Sequence, residues 1–196
     1  FYFLSAIAFG QDGSFSWEDL SARYQAELAN GFGNLASRTV AMISKYFEGV
    51  VPAPAAYTES DLTIQKIVAD AATTADAAIE RFRTDEAIAA IWTIVDALNG
   101  YITENEPWAL AKDVSTRERL GTVLYTAAEG LRALAVLLSP VMPESTSKLW
   151  VALGAAERLG ALVEQPIREA GTWGQLPAGA TVTPLKIGRA SCRERV

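Results

Sequence analysis

The sequence predicts an all-α fold: an antiparallel helical bundle with a short N-terminal connector and an irregular C-terminal tail. Long segments carry apolar residues at intervals of three and four, the spacing of an amphipathic helix. Short stretches rich in proline, glycine and capping residues separate these segments, so neighbouring helices are expected to pack antiparallel. Strand-like alternation is suggested only around Thr181–Thr183.

The composition is that of a folded chain with few of the residue types that serve in catalysis. Of its 196 residues half are apolar and 20% are charged, with a net charge of −6, which is enough apolar material to bury a core. The chain has no histidine, which excludes Ser-His-Asp and Cys-His nucleophiles and histidine metal ligands. A single cysteine fits a reducing, cytoplasmic location. No uninterrupted apolar run reaches the ~20 residues of a membrane span.

The first long helix is predicted to begin at a capping box. Ser16–Asp19 has the S-x-x-[DE] pattern, with acidic residues in the first turn. Gly31 and Gly33 each weaken a helix by up to ~1 kcal/mol relative to alanine. The segment is therefore either one long helix or two collinear pieces. Pro52 and Pro54 cannot continue it.

Five further helices are predicted, each from a capping residue or proline followed by apolar residues at helical spacing. Their starts are expected at Ser60–Asp61, Thr84, Pro107, Ser115 and Pro143. The helix starting at Pro107 is short and ends near Lys112. The next one is strongly apolar from Leu120 to Leu138 and is stopped by Pro140. These helices and the first long one form a predicted bundle over residues 16–170.

The two ends of the chain are expected to lie outside this bundle. Phe1–Leu4 opens inside an apolar element, so residues 1–15 are interpreted as the end of a connector within a longer protein. Residues 171–186 are predicted to be extended. Residues 187–196 resemble the translation of a DNA-sequencing adapter, and removing them changes the net charge from −6 to −8 and removes Cys192. The alternative is a natural basic arm that binds nucleic acid.

One candidate binding pair is Asn34 and Arg38. At i and i+4 on a helix they share one face, opposite Ala36, Val40 and Ile43. An amide beside a guanidinium can hydrogen-bond the edge of a nucleobase, and arginine also stacks on its plane. The alternative is an ordinary pair of surface residues.

A second candidate is Trp108, which follows Pro107 at the start of the short helix. Proline fixes the backbone there, so the indole is held rigidly. A rigid, exposed tryptophan is a platform on which an unpaired base stacks, worth ~1–3 kcal/mol per base. The alternative is a ring that closes the end of the core.

Other kinds of site are not indicated. The sequence contains no glycine-rich phosphate loop, and its acidic residues lack the calcium-loop pattern. Four basic residues are candidates for a small positive patch, and the sequence does not show whether they cluster in space: Arg38, Arg83, Lys112 and Arg117. An acidic chain can still bind RNA, because net charge governs long-range steering rather than a local site.

Several motifs, in order along the chain, resemble those of methionyl-tRNA synthetases. They are Phe9–Ser16, Ala29–Arg38, Leu98–Lys112, Ser139–Pro143 and the turn at Trp173–Gly174. The resemblance covers the chain from Phe1 to Leu185, and the motifs fall at family-like separations. It implies a class I aminoacyl-tRNA synthetase, whose Rossmann-type catalytic domain uses ATP to join methionine to tRNA. The C-terminal helical bundle of that family binds the CAU anticodon.

The resemblance also implies roles for particular residues. Asn34, Arg38, Pro107 and Trp108 match the residues that contact anticodon bases in the family. The catalytic signatures His-Ile-Gly-His and Lys-Met-Ser-Lys-Ser are not in the sequence. We therefore expect a non-catalytic tRNA-binding fragment without cofactor or metal, acting in the cytoplasm with a catalytic domain in cis that binds ATP and methionine.

Two alternatives remain at this stage. The first is the equivalent bundle of another class I synthetase, for leucine, isoleucine, valine or cysteine, which the combination of Asn34, Arg38, Pro107 and Trp108 disfavours. The second is a helical interaction module that binds a partner protein rather than RNA.

The adapter interpretation of residues 187–196 is testable by truncation. Because such a segment has no designed partner in the fold, removing it should change the free energy of unfolding by no more than ~0.5 kcal/mol. Urea unfolding of the two chains, followed by circular dichroism, measures the difference. A thermal midpoint lowered by several degrees would show that the segment packs.

Overall fold

The computed structural model describes residues 1–185, and these form an all-α bundle, as predicted. The α-helices, in chain order, are α1 (Tyr2–Ala6), α2 (Trp17–Arg23), α3 (Asn34–Tyr46), α4 (Glu59–Ile79), α5 (Thr84–Asn105), α6 (Pro107–Leu110), α7 (Arg117–Leu138), α8 (Pro143–Ala152) and α9 (Ala155–Leu159). Short 3₁₀ turns cover Val114–Thr116, Leu162–Glu164 and Ile167–Glu169. The suggested strand around Thr181 is a single antiparallel bridge to Val50. The expectation for residues 187–196 lies outside the described residues.

The first long helical stretch is continuous but changes its winding. A π-helix over Tyr24–Gly33 joins α2 to α3, and the backbone at both junctions stays helical. The predicted cap is confirmed, since the backbone N–H of Asp19 donates to Ser16 Oγ over 3.2 Å. Both predicted weak points, Gly31 and Gly33, lie in the π-helix. π-Helices are rare and usually a single turn, so one of 10 residues is unusual.

Residues 1–15 pack on the bundle and contain the short helix α1. The Phe1 ring lies 5.0 Å from the ring of Trp92 on α5, measured between centroids. The Tyr2 hydroxyl donates to Asp19 on α2 over 2.7 Å. The predicted connector is therefore anchored at both α2 and α5.

Helix starts differ from the sequence prediction by a few residues at two places. Helix α4 begins at Glu59, one residue before the predicted start, because Thr58 caps it and forms a capping box with Asp61. Helix α7 begins at Arg117, and Ser115 lies in the preceding 3₁₀ turn instead of capping the helix. Asp113 caps that turn, accepting a hydrogen bond from the Ser115 N–H over 2.9 Å.

Helix α7 is the central element of the bundle. Every side chain from Leu120 to Leu138 is buried, and α3, α4, α5, α6 and α8 surround it. The stretch Val114–Leu138 is long and apolar enough to cross a membrane, but its apolar window is entirely buried in the bundle. A helix enclosed on all sides is expected to be apolar around its whole circumference.

Two charged residues on α7 organise the C-terminal segment. Glu129 and Arg132 are buried and form an ion pair of 2.9 Å. Glu129 accepts hydrogen bonds from the backbone N–H groups of Gly174, Gln175 and Leu176, over 2.8–3.1 Å. Arg132 donates to the carbonyl oxygens of Ala170 and Thr172, over 2.9 and 3.0 Å. The extended segment predicted after residue 170 is thus fixed to the central helix.

A buried carboxylate joins three helix ends at one end of the bundle. Asp61, in the first turn of α4, is 0% exposed and accepts a hydrogen bond from the hydroxyl of Tyr101 on α5. It also accepts from the Arg119 guanidinium of α7 over 2.5 Å and from the backbone N–H of Thr58 over 2.7 Å. Arg119 in turn donates to Asn105 Oδ1, at the end of α5, over 2.6 Å.

The surroundings of Asp61 determine its charge state. Burial alone raises the pKa of Asp61, but the hydrogen bonds from Arg119, Tyr101 and Thr58 outweigh it and hold the pKa below its ordinary value. Burial and the Asp61 carboxylate together raise the pKa of Tyr101, so its hydroxyl keeps its proton and donates.

Replacing Asp61 is expected to destabilise the bundle. Asp61→Asn removes the charge that Arg119 and Tyr101 face, and breaking one side of a buried pair costs about 3–5 kcal/mol. Because the folded pKa lies below the unfolded value of about 3.9, this contribution is complete above pH ~4 and is lost as the pH falls through the folded pKa. Urea unfolding between pH 3 and 7 measures both effects.

The matched control is Asp70→Asn, on an exposed position of the same helix. It should leave the free energy of unfolding within ~0.5 kcal/mol of the parent at every pH. Equal stabilities of the Asp61→Asn variant and the parent at neutral pH would contradict the role given to this network.

Candidate nucleic-acid interface

The short helix α6 lies between the end of α5 and the start of α7, directly beside the Asp61 network. Glu106 reverses the chain with a left-handed backbone (φ 42°, ψ 59°), an uncommon conformation for a residue other than glycine. Pro107 follows as the first helical residue and is buried. The Thr116 hydroxyl donates to the Leu110 carbonyl over 2.6 Å and fixes the far end of α6. Trp108 is thus presented on a rigid turn.

Trp108 lies at the surface of the bundle. Its exposed fraction is 38%, whereas Trp150, a core tryptophan, is 2% exposed. Of the two interpretations of this residue, the geometry agrees with a surface ring rather than one that closes the core. Pro107 is buried beneath it, so it positions the indole and offers little open surface of its own.

Helix α3 brings Arg38 to the same place. The Cζ atom of Arg38 lies 5.8 Å from the centroid of the Trp108 ring, within the range of a cation–π contact. Asn34 is exposed one turn earlier on α3, and Ala36, Val40 and Ile43 are buried on the opposite side, as the spacing predicts. Of the four predicted residues, the structure thus brings Arg38 and Trp108 into contact and places Asn34 on the adjoining surface.

The charge of this surface differs from that of the whole chain. Helix α3 contains no acidic residue, although the chain carries a net charge of −6. Among residues 1–185, no carboxylate lies within 4.0 Å of the Arg38 guanidinium. Lys45 is exposed on the same face of α3, two turns after Arg38. The face can therefore attract and contact an anionic ligand.

The four basic residues that are candidates for a positive patch do not all lie together. Arg83 precedes α5, whereas α6 follows it, so the 22 residues of α5 separate them by about 33 Å. Arg83 is also engaged with Asp85 at 2.8 Å and Glu86 at 2.9 Å. Lys112 and Arg117 do lie at the same end as Trp108, on either side of the 3₁₀ turn.

Sequence reasoning missed Phe47. Its ring lies beneath Arg117, with the Cζ atom 4.8 Å from the ring centroid, although Phe47 follows α3 and Arg117 begins α7. Phe47 is also partly buried and packs against the core. Its contact with Arg117 depends on how the end of α3 meets the start of α7, and no local pattern in the sequence indicates that contact.

The groups on this surface are suited to contact with a nucleobase. Within the part of the chain that the structure describes, no group of three or more His, Cys, Asp or Glu side chains could hold a metal ion. The surface offers a half-exposed indole, a guanidinium over its ring and an amide nearby. These are the groups that stack on unpaired bases and hydrogen-bond their edges.

Comparison with known proteins agrees with this description. A family profile for the anticodon-binding domain of tRNA ligases matches residues 61–175, which include α6 and its neighbours. The chain therefore belongs to the family of anticodon-binding domains of tRNA ligases. A second profile, for class I tRNA synthetases of the (M) group, matches residues 1–40 and so includes Asn34 and Arg38.

Its similar relatives are methionine–tRNA ligases. The chain is 56% identical over 185 residues to the enzyme of Streptomyces coelicolor, covering 93% of this chain and 34% of that protein. It is 43% identical over 159 residues to the enzyme of Caldanaerobacter subterraneus, covering 81% of this chain and 25% of that protein. The chain thus spans about a third or less of these relatives, and the resemblance found in the sequence is confirmed.

Solved structures lead to the same family. Free Mycobacterium tuberculosis methionyl-tRNA synthetase superimposes with a TM-score of 0.86 at 30% identity, over 94% of this chain and 36% of that one. The same enzyme bound to methionyl-adenylate gives a TM-score of 0.83 over the same shares. The arrangement of helices is therefore that of the corresponding part of those enzymes.

The exposure of Trp108 has a consequence for stability. Trp108→Ala should cost about 1–2 kcal/mol, because only part of the ring is buried, against the about 3–5 kcal/mol typical of a core aromatic. Trp150→Ala is the matched control and should reach the higher range, since that ring is enclosed. Urea unfolding of both variants gives the comparison, and equal losses would place Trp108 in the core.

Proposed function

We propose that this chain is the part of a methionine–tRNA ligase that recognises the CAU anticodon. The observation that carries the proposal is the contact between Arg38 and Trp108, which joins two segments 70 residues apart into one surface with Asn34 beside it. The methionine ligases among its relatives and the anticodon-binding family support the same assignment.

The four residues act in different ways in this proposal. The open face of the Trp108 indole stacks on an unpaired base of the loop, and the Arg38 guanidinium extends the stack at its edge. The Asn34 amide offers both a donor and an acceptor, while Arg38 offers donors only. Together they complement a cytosine edge, which presents one amino group beside two acceptors. Pro107 fixes the angle of the indole.

The acidic character of the chain is compatible with this role. Recognition of a splayed loop depends on stacking and base-edge hydrogen bonds, with few phosphates neutralised. The surface that would meet RNA is built from α3, which has no acidic residue, and from α6. The affinity for RNA should therefore fall only modestly as the salt concentration rises, because the slope of this dependence is proportional to the number of phosphates contacted.

We also propose what lies beyond this chain in the whole protein. The full ligase attaches methionine to tRNA with ATP, and both small molecules bind in a catalytic domain that residues 1–15 join in cis to the bundle. The relatives' names and the methionyl-adenylate bound to the M. tuberculosis enzyme support this. By itself, the chain is proposed to be non-catalytic. In this proposal residues 16–170 are the tRNA-binding bundle and residues 171–186 an extended C-terminal segment, and the protein acts in the cytoplasm.

Binding of a short RNA tests the anticodon proposal. An anticodon stem-loop bearing CAU is titrated with the whole chain at fixed salt, and a second stem-loop carries an altered first anticodon base. Trp108→Ala and Arg38→Ala should each weaken binding of the CAU stem-loop by about 1–3 kcal/mol, because each removes a group that contacts the base. Fluorescence anisotropy gives the dissociation constants.

Matched controls are available on the same chain. Trp17→Ala removes an indole that is 74% exposed on α2, and Arg168→Ala removes an exposed guanidinium that lies 3.9 Å from Asp76 on α4. Both should leave binding unchanged. Equal affinity of the parent chain for the two stem-loops would reject anticodon recognition, and binding by a folded Trp108→Ala variant as tight as that of the parent would reject the role of this ring.

A further inference from the structure

A second arginine–aromatic contact lies at the same end of the bundle as the first. Arg117 begins α7 and lies over the ring of Phe47, with 4.8 Å between its Cζ atom and the ring centroid. The corresponding distance between Arg38 and Trp108 is 5.8 Å. The proposed anticodon contacts do not involve the Arg117–Phe47 pair.

The pair borders an open groove of about 500 Å³. Its lining includes Pro52, Ala53, Val114 and Glu118. Gly121 on α7 also lines it and lies close to Pro52, since a Cβ atom there would be 3.4 Å from the Cβ of Pro52. The groove is large enough for a base or a small ligand, whose sites typically occupy ~300–1,000 Å³.

The charge of Arg117 is uncompensated, in contrast to most arginines of the described chain. Ion pairs within residues 1–185 engage Arg23, Arg81, Arg83, Arg119, Arg132 and Arg168. Arg119, only two residues after Arg117, is tied to the buried Asp61. Arg117 is exposed and has no carboxylate within 4.0 Å among those residues, so its edges are free for a ligand.

One RNA strand can reach both arginine–aromatic pairs. Arg38 and Phe47 are nine residues apart along and just beyond α3, which corresponds to a rise of about 13 Å along the helix axis. That distance is spanned by about four stacked nucleotides at ~3.4 Å each, or by fewer when the bases are splayed. On the other side, the bond from Thr116 to Leu110 holds the start of α7 against α6.

We propose that the Arg117–Phe47 groove is a second RNA subsite, which holds one unpaired nucleotide of the same loop that Trp108 and Arg38 contact. Arg117 binds the phosphate of this nucleotide, and its base lies against Pro52 and Val114. The proposal rests on the proposed function, because it assigns the occupant by continuity with the anticodon surface and by charge.

The chemistry of the groove matches a nucleotide. A guanidinium stacked on a ring keeps its N–H edges free, and those edges bind phosphate oxygens in pairs. Val114 is 88% exposed, so it offers apolar area to a base at no cost of rearrangement. Glu118 adds an acceptor for an amino group of the base or for a 2′-hydroxyl, which distinguishes RNA from DNA.

The experiment measures how RNA affinity depends on salt concentration. A contact to a phosphate makes the affinity more salt-dependent, whereas a contact to a base does not. Binding of the CAU stem-loop and of the altered stem-loop to the whole chain is titrated at several salt concentrations. Arg117→Gln should weaken binding of both RNAs by the same factor, about tenfold, and reduce the slope of log K against log salt by about 1. Arg168→Gln, an equal change on an exposed arginine elsewhere, should alter neither quantity.

A second variant tests the apolar lining of the groove. Val114→Glu places a negative charge at an exposed position on the rim, where it does not disturb the core, and should also weaken binding of both RNAs. Thermal unfolding confirms that each variant is folded.

The outcomes separate the two proposals. If the parent prefers the CAU stem-loop while Arg117→Gln changes neither affinity nor slope, the second subsite is rejected and the anticodon assignment stands. If Arg117→Gln lowers affinity and slope but the parent does not distinguish the two RNAs, the groove binds RNA and the anticodon assignment fails. Absence of RNA binding by the parent rejects both.

Discussion

The buried carboxylate of Asp61 is the interaction on which the rest of this end of the bundle depends. It joins the start of α4, the end of α5 and the start of α7 through Thr58, Tyr101 and Arg119. Helix α6 is only four residues long and cannot fix its own position. The hydrogen bonds to Asp61 fix the three helix ends. Those ends in turn fix the orientation of α6 and of Trp108. The surface that we propose binds RNA is thus supported by a rigid polar core.

Much of the fold could be predicted because its signals are local. Apolar spacing and proline predicted α5, α6, α7 and α8 to within a few residues. The start of α7 was harder to predict, because both Asp113 and Ser115 are suitable capping residues. Which of them caps depends on whether a 3₁₀ turn precedes the helix, and residue spacing does not reveal that. The π-helix was not predicted, because its i→i+5 bonding uses the same residues that favour an α-helix.

The site was less accessible to sequence reasoning than the fold. Helical spacing placed Asn34 and Arg38 on one face, but their contact with Trp108 depends on how α3 and α6 pack, and only the resemblance to a family suggested it. The inclusion of Arg83 in the positive patch was avoidable. In an antiparallel bundle a residue before α5 and one after it lie at opposite ends, so helix length alone separates Arg83 from Trp108. Phe47 was missed because an aromatic at helical spacing resembles core.

The ion pair of Glu129 and Arg132 has a consequence for how the chain can vary. It engages the segment after Ala170 through backbone N–H and carbonyl groups, apart from a long contact to Gln175. Every amino acid presents those groups, so the central helix recognises the path of this segment rather than its side chains. Side chains are constrained at Gly171, where a Cβ would lie 2.9 Å from Ala72, and at Gly174 and Gly179, which have positive φ. They are also constrained where they enter the core, at Leu176, Ala180 and Val182. At the exposed positions of the segment, side chains can diverge while the course of the backbone persists.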